Sequence, residues 1–139
     1  MEFTKSQLEV AAYYLVHGND EHGWIGNLMN KIKGHGQHGN LDSTEEAILK
    51  KAWGKRKEED LDLVRKEFKA GNIKWDEIIA LITPLSADEK YQIYFLVCRG
   101  MVQKSATESS KEQDGWETAY KFRDAIGIES AGYTNWVRG

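Results

Sequence analysis

SADEKYQIYFLVCRGMV, running from Ser86 to Val102, decides the fold class. Its middle, YQIYFLVC (Tyr91 to Cys98), has the aromatic and β-branched content of a buried strand. Two features make it a helix instead. Ser86 stands three residues ahead of Glu89, the spacing at which a hydroxyl and a carboxylate cap a first helical turn. Past the apolar run, Met101 and Val102 continue the helical phase set by Tyr91, Tyr94, Phe95 and Cys98. Ile93, Leu96 and Val97 fill most of the opposite side, which predicts a central helix buried nearly all round.

The pattern extends upstream. Pro84, the only proline, closes a short helix carrying Trp75, Ile78, Ile79 and Ile82, because the residue before a proline avoids the helical region. Gly71 and Asn72 end a longer segment from Ser43 to about Lys69, with Leu49, Trp53, Leu61, Val64 and Phe68 in one phase. One long helix is preferred there over two broken near Gly54. A first, amphipathic helix carries Leu8, Ala11, Ala12, Leu15 and Val16 on one face and stops at Gly18. A second carries Trp24, Ile25, Leu28, Met29 and Ile32 and stops at Gly34. Downstream, Trp116, Ala119, Tyr120, Arg123 and Ile126 mark a sixth helix ending near Gly127, and a short C-terminal turn around Tyr133 and Trp136 folds back. Thr4…Gln7, Ser43…Glu46, Ser86…Glu89 and Ser109…Glu112 repeat the capping-box spacing, and Phe3 and Leu8 are placed for a hydrophobic staple. The expectation is an all-α chain: a single compact bundle of six or seven helices over residues 1–139.

Length and composition agree. A chain of 139 residues, with five tryptophans, six tyrosines and four phenylalanines, supplies a core without disulfide or metal. Cys98 is the only cysteine, which rules out an intramolecular disulfide and suits a reducing compartment. The first residues lack the basic start of a signal peptide, and no apolar run reaches the length of a membrane span. Those features point to a cytoplasmic protein with no membrane insertion. A net charge of −3 makes nucleic acid an unfavoured partner.

Two stretches echo each other: YYLVHG (Tyr13 to Gly18) and YFLVCRG (Tyr94 to Gly100), followed by HGW (His22 to Trp24) and DGW (Asp114 to Trp116). Each pair reads as helix, loop and helix, consistent with two similar halves. ITPLSADEKYQIYFLVCRGM, then a polar loop, then a helix ending DAIGI, resembles the second half of a tellurite-resistance B-like (TerB-like) domain. The likeness covers residues 4 to 128 in outline and 81 to 128 in detail. It implies an all-helical fold of two helix–loop–helix halves, a stress-response role and an acidic site that takes metal. The loops here, GNDEHG (Gly18 to Gly23) and KSATESSKEQ (Lys104 to Gln113), lack the family's Asp-Gly arrangement. Asp20, Glu21, Glu108 and Glu112 do not fall in its motif.

All four histidines lie between residues 17 and 40, with six of the thirteen glycines. His17, Asp20, Glu21, His22, His35 and His38 form the candidate metal set, since divalent ions of intermediate softness take mixed imidazole and carboxylate ligands. Their spacing matches no standard zinc pattern, and a glycine-rich connection with solvated histidines explains the same residues. GHGQHG (Gly34 to Gly39) has the form G-x-G-x-x-G, but it follows a helix and lacks the strand that dinucleotide binding requires. Lys50, Lys51, Lys55, Arg56 and Lys57 are followed at once by Glu58, Glu59, Asp60 and Asp62, which suits a solvated helix face better than a phosphate track. Cys98, inside the most apolar helix, reads as packing, and Trp136 as the tryptophan most exposed or nearest a partner surface. The expected function is a non-catalytic helical binding or adaptor module for a protein partner. The competing readings are a metal-dependent protein or hydrolase and a weak nucleic-acid binder.

Overall fold

Thr4 starts the first helix as its spacing predicts. Its side chain accepts a hydrogen bond from the Gln7 N–H (3.2 Å), and the Gln7 side chain accepts one from the Thr4 N–H (3.0 Å). Leu8 is buried, and Phe3 packs, partly buried, against the same core cluster. The computed structural model describes residues 2–18, 25, 43, 44, 47, 48, 58–107 and 112–139. Six helices run through them: α1 (Lys5–His17), α2 (Glu58–Lys69), α3 (Trp75–Ile82), α4 (Ala87–Thr107), α5 (Glu112–Ile126) and α6 (Ser130–Arg138). No strand occurs among the described residues, so the all-α expectation holds.

The helix ends follow local chemistry. At Ser86 the hydroxyl accepts from the Glu89 N–H (3.2 Å) and donates to the Glu89 carboxylate (2.9 Å). This is a cap in which the two side chains meet each other. The Ser86 hydroxyl, and then the Lys5 ammonium 3.2 Å away, hold the Glu89 carboxyl below its usual range. α2 ends with paired bonds, Gly71 N–H to Phe68 C=O and Asn72 N–H to Glu67 C=O, around Gly71 at φ +77°. Only glycine takes that backbone without strain. α5 ends the same way at Gly127, and Lys90 adds a cationic cap, donating to the carbonyls of Ile126 (2.9 Å) and Thr83 (3.3 Å). One side chain of α4 thus ties the ends of α3 and α5.

α1 and α4 are the paired centre of the bundle. Lys5 meets Glu89 near their starts and His17 meets Val97 further along, so the two run parallel. α2 lies along α1 in the same direction: Ser6 and Gln7 donate to Asp60, Arg65 Nε donates to the Tyr14 hydroxyl (3.1 Å), and the Tyr14 and Phe68 rings are 5.5 Å apart. α3 and α5 pack on the remaining side of α1, and Trp75 meets Phe122 edge-on at 6.3 Å. Ile25, also helical, is fully buried in the same core.

Several expectations need correction. α1 is not amphipathic with one apolar stripe: every residue from Leu8 to Tyr14 is buried, Glu9 included at 1 % exposure, and Leu15 is only partly covered. The reason is its central position, with helices packed on several sides. α4 is buried through Ile93–Val97 and again at Gly100 and Met101, as its composition predicts. On α5 the expected stripe holds at Ala119 and Ile126, which are buried, but Phe122 joins them inside in place of Tyr120, which is 46 % exposed with the Arg123 guanidinium over its ring at 5.0 Å. Of the expected polar loop from Lys104 to Gln113, residues 104–107 belong to α4 and 112–113 to α5. The C-terminal turn is a nine-residue helix. Whether residues 43–69 form one helix or two lies outside the described residues.

The echo between YYLVHG and YFLVCRG joins the two helices that pack together. It diverges at its end: Gly18 terminates α1 at φ +74°, whereas Gly100 lies inside α4. The DGW segment falls within α5, which is already helical from Glu112. The HGW segment lies outside the described residues.

Candidate functional site

Of the six proposed metal ligands, His17 alone is described; Asp20, Glu21, His22, His35 and His38 lie outside the described residues. His17 closes α1 and is buried. Its ring stacks on Tyr13 (centroids 4.2 Å apart, planes within 9°), and its Nε2 sits 2.9 Å from the Val97 carbonyl. A carbonyl only accepts, so this nitrogen carries the proton and donates. The bond commits Nε2 to holding α1 against α4. Among the described residues no group of three or more His, Cys, Asp or Glu is placed to hold a metal ion.

Side chains of mixed chemistry converge instead between α4 and α6. Gly132 lets α6 approach closely, since a Cβ there would stand 2.5 Å from the Tyr91 hydroxyl oxygen. α6 then lays Tyr133 edge-on against Tyr94 (4.8 Å) and Trp136 against Tyr91 (5.8 Å) and Phe95 (6.2 Å). The Trp136 indole N–H donates to Asp88 at 2.7 Å. Trp136 is therefore half-buried and anchored, a different placement from the exposed one its sequence position suggested. No residue of α6 is fully buried. It lies on the bundle as a strap, pinned by one aromatic cluster.

The strap leaves a cleft on each flank. One, about 200 Å³, has Phe95, Tyr133 and Val137 as apolar walls, with Cys98, Arg99, Thr134 and Arg138 completing it. The other, about 410 Å³, lies between Ser43, Thr44, Ala47 and Ile48 on one side and Trp136, Val137 and Gly139 on the other. Val137 lines both. The clefts depend on how α6 meets the bundle, and no short motif in the sequence announces them.

The chemistry of the smaller cleft favours holding over bond-making. Burial pushes the Cys98 thiol up to about 11, although the Tyr94 and Tyr133 hydroxyls bond to its sulfur and the Arg123 and Arg99 charges pull the other way. Tyr94 is likewise raised above its usual range, chiefly by burial and then by its neighbour Cys98. A thiol at 11 stays protonated near neutral pH and is a poor nucleophile. Alkylation of Cys98 by iodoacetamide at pH 7.5 is therefore expected about 100-fold slower than that of an exposed cysteine, rising steeply between pH 9 and 11. A rate equal to that of a free thiol would contradict this environment. The unfolded thiol ionises from about pH 9, so the contribution of the buried thiol to stability is intact below pH 9 and lost as pH rises towards 11.

Elsewhere, Trp116 lies tilted beside Tyr120 (5.9 Å) and Lys121 lies over Trp75 at 4.9 Å. The basic cluster of residues 50–57 lies outside the described residues. No described helix is long and apolar enough to cross a membrane. Comparison with protein-family models, curated proteins and solved structures finds no match for this chain.

Proposed function

We propose that this chain is a non-catalytic helical binding module that meets a protein partner along the α6 edge. The observation that carries the reading is α6 itself: a helix without a fully buried residue, fixed to α4 by the Trp136–Asp88 bond and an aromatic cluster, with an open cleft on either flank. An anchored strap with accessible apolar side chains at its margins suits recognition, where a few anchored residues supply most of the affinity. The protonated Cys98 thiol fits binding better than covalent chemistry. The resemblance of residues 81–128 to TerB-like domains adds a stress-response setting to this reading, with tellurite tolerance as its expression.

Val137 is the residue to change, because it lines both clefts and sits on a peripheral helix. A photo-crosslinking residue placed at Thr134 should give one discrete protein adduct in the cells that make the chain. The same residue at Glu117, exposed on α5, should give none. Val137→Arg should abolish the adduct without lowering the melting temperature by more than a few degrees. Equal adducts at both positions, or none at Thr134, would remove the reading. Cells lacking the chain should also tolerate less tellurite, and unchanged tolerance would remove the tellurite role alone.

A further inference from the structure

We propose that α6 is an autoinhibitory strap. It opens while α1–α5 stay folded, and in closing it occupies an aromatic face of α4 that fits a partner helix carrying the same side-chain pattern. Tyr91, Tyr94, Phe95 and Cys98 stand at i, i+3, i+4 and i+7 on α4, one stripe of a helix. α6 answers with Tyr133 and Trp136, three positions apart, whose rings meet Tyr91, Tyr94 and Phe95. Its indole N–H donates to Asp88 at the start of the stripe. Aromatic anchors at this spacing, laid on such a stripe, are how one amphipathic helix recognises another. The ligand class is read from α6 itself: a helix with a tyrosine and a tryptophan three apart, the indole free to donate.

The core ends sharply just ahead of α6. Ile126 and Ile128 are buried, whereas Glu129, Ser130 and Ala131 are exposed and no residue of α6 is fully buried. Glu129, the N-cap, makes no side-chain cap bond. Nine residues also fall short of the about 12–15 at which a helix holds by itself in water, so α6 is helical because it is docked. Segments of this kind lie at the low end of local stability and open before the core does. α4, by contrast, is tied to the bundle on its other sides. Lys5 pairs with Glu89, Lys90 donates to the Ile126 carbonyl, and His17 donates to the Val97 carbonyl. None of these bonds involves α6, so its release leaves α4 in place with the aromatic face presented. A partner that first meets the α6 edge can then take over that face.

The partner helix rests on the binding-module reading and the strap does not, so the two fail separately: crosslinking reads the partner in cells, and the purified full chain reads the strap. In native-state hydrogen exchange, the amides of residues 134–137 are expected to be at least about 100-fold less protected than those of residues 93–97, with a rate that barely changes in low urea. Equal protection with the same urea dependence would mean that α6 opens only when everything unfolds, and would overturn the proposal. The second arm adds a synthetic peptide of residues 129–139. With the strap open about 1 % of the time at an effective concentration of about 10 mM, the peptide meets the open face with a Kd near 0.1 mM. The wild-type chain, its face taken, should bind about 100-fold more weakly. Trp136→Ala in the full chain undocks α6, so this variant should bind the peptide with Kd at or below about 1 mM and shift the amides of Tyr91, Tyr94 and Phe95. Equal affinity of wild type and variant would overturn the proposal. So would no saturable shift in the variant by about 5 mM, or global unfolding of the variant, since α1–α5 have to stand without the strap.

Discussion

Phe122→Ala is expected to cost about 3–5 kcal/mol of folding stability, while Tyr120→Ala, two positions earlier on the same helix, costs under about 1 kcal/mol. Phe122 is fully buried and meets Trp75 edge-on, so truncation removes a whole ring and leaves a cavity between α3 and α5. Tyr120 is 46 % exposed; its losses are the Arg123 cation over its face and a tilted contact with Trp116. With total stabilities of small domains near 5–15 kcal/mol, the first variant approaches the folding limit and the second stays well clear of it. Urea unfolding followed by far-ultraviolet circular dichroism separates them. Equal costs, or a larger cost at Tyr120, would mean that α5 presents the other face to the core.

Gly100→Ala is the second large effect, with a net loss of about 2 kcal/mol and a melting temperature about 6–10 °C lower. A Cβ on Gly100 would overlap the Tyr13 ring and stand 2.9 Å from two atoms of the His17 ring. Both rings are buried and stacked on each other, and His17 is also held by the Val97 carbonyl, so neither yields cheaply. Alanine is the better helix former by about 1 kcal/mol, which opposes the clash and makes the sign informative. Gly18→Ala is the contrast: nothing lies within 4 Å of its Cβ position, and its cost comes only from the φ of +74°. A stabilised Gly100→Ala protein would show that α1 and α4 do not approach as described.

How much was legible depended on whether a feature is local. Thr4 with Gln7, Ser86 with Glu89, and the stops at Gly71, Pro84 and Gly127 concern a few adjacent residues, and each ends a helix where its spacing indicates. The burial of α4 was also readable, because apolar residues occupy nearly every side of Ile93–Val97. α1 was not. Leu8, Ala11, Ala12 and Val16 are a plausible stripe, and only the surrounding helices put Glu9, Val10, Tyr13 and Tyr14 inside as well. On α5, Ala119 and Ile126 are legible as core, but Tyr120 and Phe122 both fit helical spacing beside them, and only the contact of Phe122 with Trp75 decides between the two. The clefts beside α6 were illegible for the same reason. Arg99 and Arg138 are 39 positions apart and meet one space only once Gly132 has let α6 settle on Tyr91.

The histidine-rich segment shows the limit from the other side. His17 is a fair ligand by residue type, but its position at the end of a buried helix gives its Nε2 to a carbonyl of α4. Composition suggests a ligand, and burial decides what the ring is bonded to.

The parallel pairing of α1 and α4, with α6 strapped across α4, positions both the core and the clefts. Nuclear Overhauser spectra of the full chain read both contacts at once. Cross-peaks are predicted from the Gly100 Hα protons to the Tyr13 and His17 rings, and from the Trp136 indole to the Phe95 and Tyr91 rings. A helical protein in which the Gly100 peaks are absent, or in which Trp136 contacts no α4 ring, would contradict it.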